Sequence, residues 1–364
     1  MLAPSYGLER VSYMIPAKGH RYVWLRHLPL ERLERKGTYW QQSPYVIGPG
    51  VDLVHTFNQL PLNRAFVVSA EMELPRFLGH PTERQVKAGL NRLASSRCRG
   101  IWPLSDAARA YFLRRATGLG FHELEQKVEV FRGTVPVAPA ADFCARDERA
   151  PIRILFVGTA GLRKGLEPTL EGAERLRRDG IEVEVTVIGQ PEASCYVAPG
   201  IIFDTHRVRN LLAQSWVTHH MALPNAEVRR LMATHDLLSF LTMDESLGWV
   251  VAEAAMSGIP TISSNVFALP ELVIDGKTGW TIPLPLNEDR RWMHVGKANA
   301  RDPFIDTQNQ LRGGLVEIVA SLAKNRERIS VAGAAAHDHI ENLYGIDVAA
   351  AHLDQLYTAA IERT

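Results

Sequence analysis

The hydrophobic pattern changes character along the chain. From residue 152 onward, short apolar runs alternate with segments whose apolar residues recur at helical spacing. Ile152 to Val157 is one such run and stops at Gly158; Val183 to Ile188 reads as a second strand and stops at Gly189. Between them Leu166, Leu170, Ala173 and Leu176 share one face of a helix predicted over 166–178. Ile201 and Ile202 begin a predicted third strand, 226–234 reads as a helix, and strands are predicted at 237–241, 259–263 and 279–282. An Ala-rich helix after Gly248 is stopped by Ser257-Gly258-Ile259-Pro260. Strands separated by helices predict an α/β fold with a parallel, Rossmann-like sheet. Its ligands are expected at the carboxyl ends of the strands, where Gly158, Gly189 and Glu245 fall.

The first half is less regular. Strands are predicted at 51–56, 65–69, 100–104 and 127–131, with helices at 83–95 and 105–117, which together outline a second Rossmann-like sheet. Val135-Pro136-Val137-Ala138-Pro139-Ala140-Ala141 reads as an extended linker, and 347–363 as a helix. A chain of 364 residues is too long for one ordinary core. We expect two domains, 1–140 and 141–340, followed by a terminal segment, 341–364.

Composition adds class but little detail. It is that of a soluble globular protein, with neither a run of 18 apolar residues nor the three regions of a signal peptide at Met1–Gly7. Cys98, Cys144 and Cys195 are scattered and odd in number, which predicts no zinc site and no disulfide framework and fits a reducing cytoplasm. The net charge of +1 conceals an asymmetry: residues 1–150 hold 21 Lys/Arg against 14 Asp/Glu, residues 151–364 hold 20 against 26. Arg76, Arg84, Lys87, Arg92, Arg97, Arg99, Arg109, Arg114 and Arg115 lie where the local acids are only Glu83 and Asp106. They form either a solvated helix face or a surface for anionic lipid headgroups or an anionic acceptor. No nucleic-acid module accompanies them, so nucleic acid is not an expected partner.

The candidate chemistry concentrates in Thr242–Pro260. Glu245 stands in a loop after a strand, and Glu253 stands eight residues on, inside the helix. Ser246, Leu247 and Gly248 would offer backbone N–H groups at a helix N-terminus to phosphate. The Glu253 carboxylate can accept hydrogen bonds from a diol such as ribose. Phosphate plus ribose suggests a nucleotide. Gly158-Thr159-Ala160-Gly161-Leu162-Arg163-Lys164-Gly165 is neither a Walker A loop nor Gly-x-Gly-x-x-Gly. It is a structural turn or, with Arg163 and Lys164 at its mouth, a seat for diphosphate.

Phe156-Val157-Gly158, Arg163-Lys164-Gly165, Val187-Ile188-Gly189, Glu245-x7-Glu253, Gly258-Ile259-Pro260-Thr261 and Asp275-Gly276-Lys277-Thr278-Gly279 follow one another in this order. The series resembles the retaining GT-B glycosyltransferases of family 4 (glycosyltransferase group 1), closely over 152–283 and in outline before that. The resemblance implies two Rossmann-like domains facing across a cleft. The N-terminal one would bind the acceptor, the C-terminal one a nucleotide-diphosphate sugar, and the last helix would return to the first domain. It implies that Glu253 binds ribose, and that Lys164 with Arg163 holds the diphosphate and stabilises the leaving group. Glu245 would contact donor-sugar hydroxyls, with Ser246, Leu247, Gly248 and Trp249 lining sugar and phosphates. Gly158, Thr159, Gln190 and Leu223 would complete the donor site. Thr159 replaces an Arg often found after the first strand's glycine. Ala70 and Glu71, with Glu73 close behind, replace a His that often touches the donor sugar, so Glu71 and Glu73 are possible sugar or acceptor contacts.

The implied reaction moves a sugar, with retention, to a hydroxyl of a saccharide or lipid-linked acceptor. Front-face attack is favoured over a covalent intermediate on Glu71, and no metal or other cofactor is expected, there being no Asp-x-Asp. The family suggests polysaccharide biosynthesis in the cytoplasm, peripherally on the inner face of the cell membrane through the basic first domain. The competing readings are a nucleotide-sugar-binding partner subunit without turnover, or an epimerase or phosphorylase on the same scaffold. A dehydrogenase is disfavoured because neither half has a dinucleotide fingerprint.

Overall fold

A computed structural model describes residues 6–16, 18–28, 43–77, 81–136 and 150–363. The chain forms two compact units, Met1–Val135 with Leu343–Thr364, and Pro136–Asn342. Cys144 and the linker stretch 137–141 lie outside the described residues.

The first unit runs α1 (Tyr6–Val11), β1 (Arg26–Leu28), β2 (Tyr45–Ile47), β3 (Val54–Phe57), β4 (Phe66–Ala70), α2 (Glu83–Ala94), β5 (Cys98–Pro103) and α3 (Asp106–Gly118). Strands β3, β4 and β5 make a parallel sheet in that order, while β1 and β2 pair antiparallel as a separate ribbon. Phe66, Val68, Leu90, Leu93, Ile101 and Phe112 are buried in one core, because every β4 position is covered and the strand is apolar but for Ser69. Thr82 and Gln85 form a capping box on α2, and the Ser105 hydroxyl accepts from Ala108 N–H on α3. The strand predicted at 127–131 is reduced to a single parallel bridge and two backbone hydrogen bonds to β5, from Glu129 N–H to Ile101 O and from Phe131 N–H to Pro103 O. His122–Lys127 is a 3-10 turn, and only Val128 bridges to Ile101. Lys127 itself is drawn away from the sheet: its ammonium donates to the carbonyls of Leu93, Ala94 and Ser95 and so caps α2.

The basic surface is more balanced than its sequence window suggests. Arg76, Lys87, Arg109 and Arg115 pair with Glu71, Glu83, Glu125 and Glu73, and Arg92, Arg97 and Arg99 donate to main-chain carbonyls. Three of those acids lie outside the window. No helix among the described residues is long and apolar enough to cross a membrane.

The second unit runs β6 (Ile152–Gly158), α4 (Gly161–Lys164), α5 (Leu166–Arg178), β7 (Val183–Gly189), α6 (His206–Leu212), β8 (Val217–His220), α7 (Asn225–Met232), β9 (Leu237–Phe240), α8 (Trp249–Met256), β10 (Thr261–Ser264), α9 (Leu269–Leu272), β11 (Gly279–Ile282), α10 (Arg301–Ala323) and α11 (Glu327–Tyr344). Its six parallel strands lie in the order β8-β7-β6-β9-β10-β11. The winding reverses between β6 and β9, and these two pair only at Ile154–Leu155 against Leu237–Leu238. The crevice left beyond that pairing is where an open α/β sheet takes its ligand. The predicted strand at 201–202 is a correction: the third strand is β8, and Ile202 is 71% exposed in the connection before α6. Long α10 packs on α5, with Gly172 leaving room for Leu315 and Gly314 for Ile282.

The last helix, α12 (Ile346–Glu362), belongs to the first unit, and contacts β5. Its Tyr357 hydroxyl meets Nδ1 of the fully buried His55, whose Nε2 meets Ser69 Oγ, at 2.7 and 2.9 Å. Burial pushes the His55 imidazole down to about 3, so it stays neutral in the fold. The unfolded chain takes up that proton near pH 6.5, so the stability from neutral His55 is complete above that pH. It is lost as pH falls toward 3, at up to about 1.4 kcal/mol per pH unit. Unfolding free energies of wild type and His55→Gln should therefore converge between pH 7 and pH 5; a constant difference would show that folding leaves the His55 titration unchanged.

Candidate functional site

Every element of the candidate donor site lies in the second unit, at the carboxyl ends of β6, β7 and β9. After β6 the chain turns through Gly158–Gly165. A Cβ at Gly158 would sit 2.6 Å from Lys164 Cδ, so this glycine lets the lysine side chain cross the strand end. A Cβ at Gly161 would sit 2.4 Å from the Gln190 carbonyl, so the turn is packed directly on the Gly189–Gln190 corner after β7. Gly165, in left-handed conformation at φ 84°, ends α4 and begins α5. Arg163 and Lys164 are thereby fixed at the crevice.

The loop after β9 meets them. Met243 N–H donates to the Arg163 carbonyl at 3.1 Å, joining the two loops through the backbone. Thr242 Oγ1 donates to Asp244 O at 2.8 Å, and Arg163 also donates to that carbonyl. Glu245 Oε2 lies 3.3 Å from Lys164 Nζ and 3.8 Å from Arg163 Nη1. The three side chains are only 13–19% exposed, so their charges act in a medium far less screening than water. Lys164 Nζ also stands 5.1 Å over the Phe240 ring. The result is two fixed cations with one carboxylate set between them. The carboxylate offsets their mutual repulsion, and the pair of cations is suited to an anion of more than one charge.

Helix α8 starts at Gly248, again left-handed at φ 90°, and its sequence Trp-Val-Val-Ala-Glu-Ala-Ala-Met is apolar but for Glu253. Glu253 is 8% exposed. Leu247 and Trp249 are buried, so Ser246–Trp249 can present mainly backbone to a ligand. Ser246 N–H itself donates to Glu245 Oε1 at 3.3 Å. Of the other predicted residues, Thr159 and Gln190 are exposed and Leu223 is half-buried. Gln190 lines a cavity of about 430 Å³ with Pro191, Arg209, Leu212, Ala213, His219 and Met221; Leu223 is not among its walls. The His219 ring holds the corner by contacting Gly189 O at 2.8 Å. Glu71 and Glu73 belong to the other unit, each beside an arginine (Arg76 and Arg115).

Sequence reasoning missed Asp244, Tyr196 and Arg291. Asp244 is 4% exposed. It takes two hydrogen bonds from Arg291, Nε to Oδ1 at 2.8 Å and Nη2 to Oδ2 at 2.6 Å, and one from the Tyr196 hydroxyl at 2.7 Å. Although the residue is largely exposed, desolvation at its hydroxyl, and the Asp244 carboxylate next, push the Tyr196 phenol up. The Arg163 guanidinium lies 5.4 Å over the Tyr196 ring. Asp244 adjoins Glu245 and was visible; nothing in its spacing pointed to partners 48 residues before it and 47 after it.

Residues 146–290 match the family model for glycosyl transferases group 1. Glycogen synthase of Mycobacterium tuberculosis is 28% identical over 153 residues, 42% of this chain and 35% of that protein. The match thus spans about a third of that curated relative. Among solved structures, sucrose-phosphate synthase from Thermosynechococcus elongatus superposes with a TM-score of 0.58 at 16% identity, covering 86% of this chain and 75% of that one. HepE of Anabaena, solved in complex with UDP and glucose, superposes with a TM-score of 0.54 at 13% identity, covering 81% and 72%. These likenesses show the fold, GT-B with two Rossmann-like units.

Proposed function

We propose, for a chain that belongs through residues 146–290 to the group 1 glycosyltransferases, that it moves a sugar from a nucleoside-diphosphate sugar to an acceptor hydroxyl. The observation that carries this reading is the meeting of Arg163, Lys164 and Glu245 at the reversal point of the six-stranded sheet. Arg163 and Lys164 hold the diphosphate, with the backbone around Ser246–Trp249 adding N–H donors. Glu245 accepts from donor-sugar hydroxyls. Glu253, buried in an apolar helix, accepts from the ribose hydroxyls, and Gln190 and Leu223 border the base. A saccharide or lipid-linked acceptor enters against the first unit, near Glu71 and Glu73. The HepE complex, with UDP and glucose, supports a donor of this class.

The resemblance to retaining enzymes favours retention by front-face attack. The acceptor oxygen bonds to the anomeric carbon on the side the diphosphate leaves, and its proton passes to a departing phosphate oxygen. The anomeric C–O bond breaks and the nucleoside diphosphate carries away the negative charge. Lys164 and Arg163 stabilise that charge as it develops, with little reorganisation, and this makes metal-independent catalysis feasible. A lipid-linked acceptor would place the work in polysaccharide assembly at a membrane surface.

The experiment is a thermal-shift screen of wild type and Glu253→Ala against UDP, GDP and ADP. A ligand that binds only the fold raises the melting temperature by mass action, by an amount set by its affinity. One base should stabilise wild type, and Glu253→Ala should bind it about tenfold or more weakly, the loss of a charged hydrogen-bonding partner. Equal shifts in both proteins would remove the ribose role from Glu253. A shift in wild type without sugar transfer would favour a binding subunit. The Ala70-Glu71 pair at the place of the usual His is the observation that keeps this second reading open.

A further inference from the structure

Two irregular segments flank the site from opposite sides of the sheet: 190–205 after β7, and 283–300 after β11. Between their strands stand β6, β9 and β10, the first two of which carry the Lys164 and Glu245 loops. The segments reach each other. Gly296 N–H donates to Val197 O at 3.0 Å, and Phe203 of the first segment packs on Phe304 near the start of α10, just after the second, with ring centres 4.6 Å apart. The second segment is stiff. Asn287 Oδ1 accepts from the Asp289 and Arg291 amides, Leu286 bridges Trp292, and fully buried Trp292 donates to Thr307 Oγ1. Arg291 therefore projects from a short fixed hairpin, and it closes on Asp244.

Replacing a buried, fully satisfied ion pair by apolar residues is often neutral for stability or better, so stability alone does not account for this one. Its location does. The Asp244 carbonyl receives Arg163, and the next residue presents Glu245 to Lys164. Tyr196 holds Asp244 with its hydroxyl and lies under the Arg163 guanidinium with its ring, while remaining 56% exposed. We infer that Arg291 and Tyr196 are positioning residues for the donor: by fixing Asp244 they set where Arg163 and Glu245 stand, and so the affinity for the diphosphate. Neither touches the reacting atoms in this scheme. The inference rests on the nucleotide reading above.

The test compares affinities for a nucleoside diphosphate and its monophosphate by calorimetry, using whichever of UDP, GDP or ADP the wild type binds. Arg291→Lys keeps the charge and loses the two-pronged geometry. Tyr196→Phe keeps the ring and loses the hydroxyl. The double variant Asp244→Asn with Arg291→Gln leaves no lone buried charge, and so remains informative where the single change fails to fold. Arg291→Lys and the double variant should bind the diphosphate about tenfold more weakly while monophosphate affinity changes much less, since the second phosphate depends on the displaced cation. Tyr196→Phe should shift in the same sense by a smaller factor. A lower melting temperature with the diphosphate-to-monophosphate ratio unchanged would make the cluster purely structural and overturn the inference. Wild type that binds none of the three nucleotides overturns the nucleotide reading itself, a different and separable result.

Discussion

Lys164→Ala should lower turnover about 10²- to 10³-fold at saturating donor, the cost of removing one preorganised group that stabilises developing charge. The ammonium is fixed before any ligand arrives: it sits 3.3 Å from Glu245 Oε2 and 5.1 Å over the Phe240 ring, on a turn that Gly158 leaves open for it. Charge on the leaving diphosphate is greater in the transition state than in the bound donor. The loss should therefore appear in kcat as well as in kcat/KM. Stability should change little, because the side chain lies at the crevice and Arg163 remains near the Glu245 carboxylate, 3.8 Å away. Lys164→Arg should recover part of the rate, with the charge restored in a different shape. Turnover of Lys164→Ala within twofold of wild type, in a protein of unchanged melting temperature, would remove Lys164 from the leaving-group role.

The second unit was legible because β6 and β9 are buried along most of their length and β7 alternates buried valines with Glu184 and Thr186: all three stand close to where their residues predict. The edge of the same sheet was not. Strand β8 is Val-Thr-His-His with mostly partial burial, so it carries no apolar run, while half-buried Ile201 and exposed Ile202 imitated one. Helix α10 went unread for a related reason. Pro303 in its first turn is compatible with a helix start, but its middle holds Gly313 and Gly314, residues that ordinarily argue against a helix. Packing overrides them, since Gly314 admits Ile282 at a distance any side chain would block. In the site, Arg163, Lys164 and Glu245 stand at turns whose glycines announce them. Arg291 and Tyr196 act from irregular segments without periodicity, and only the folded chain brings them to Asp244.

Gly165→Ala should destabilise the second unit by about 2–4 kcal/mol. Two costs combine there. At φ 84° and ψ 33° an alanine would be left-handed, a strain of roughly 1–2 kcal/mol. Its Cβ would also stand 2.5 Å from both the Cβ and the carbonyl oxygen of Leu241, on the chain leading from β9 to Glu245, and overpacking of this kind costs about 1–3 kcal/mol. A stiffer unfolded chain returns part of this, about 0.4–1 kcal/mol. Gly180 separates the two costs: it has the same φ of 84° but nothing within 4 Å of its Cβ position. Gly180→Ala should therefore destabilise by about 1 kcal/mol or less, from strain alone. The difference between the two variants in urea unfolding measures the collision with Leu241. A large difference should bring a functional effect with it, because relief of the collision must move the 241–245 loop away from Lys164, or the 161–165 turn away from Glu245. Nucleotide affinity should then fall in Gly165→Ala and stay at the wild-type value in Gly180→Ala. Equal destabilisation by the two substitutions would mean that the Leu241 backbone yields freely, and that the two loops are not held in the fixed relation on which the site depends.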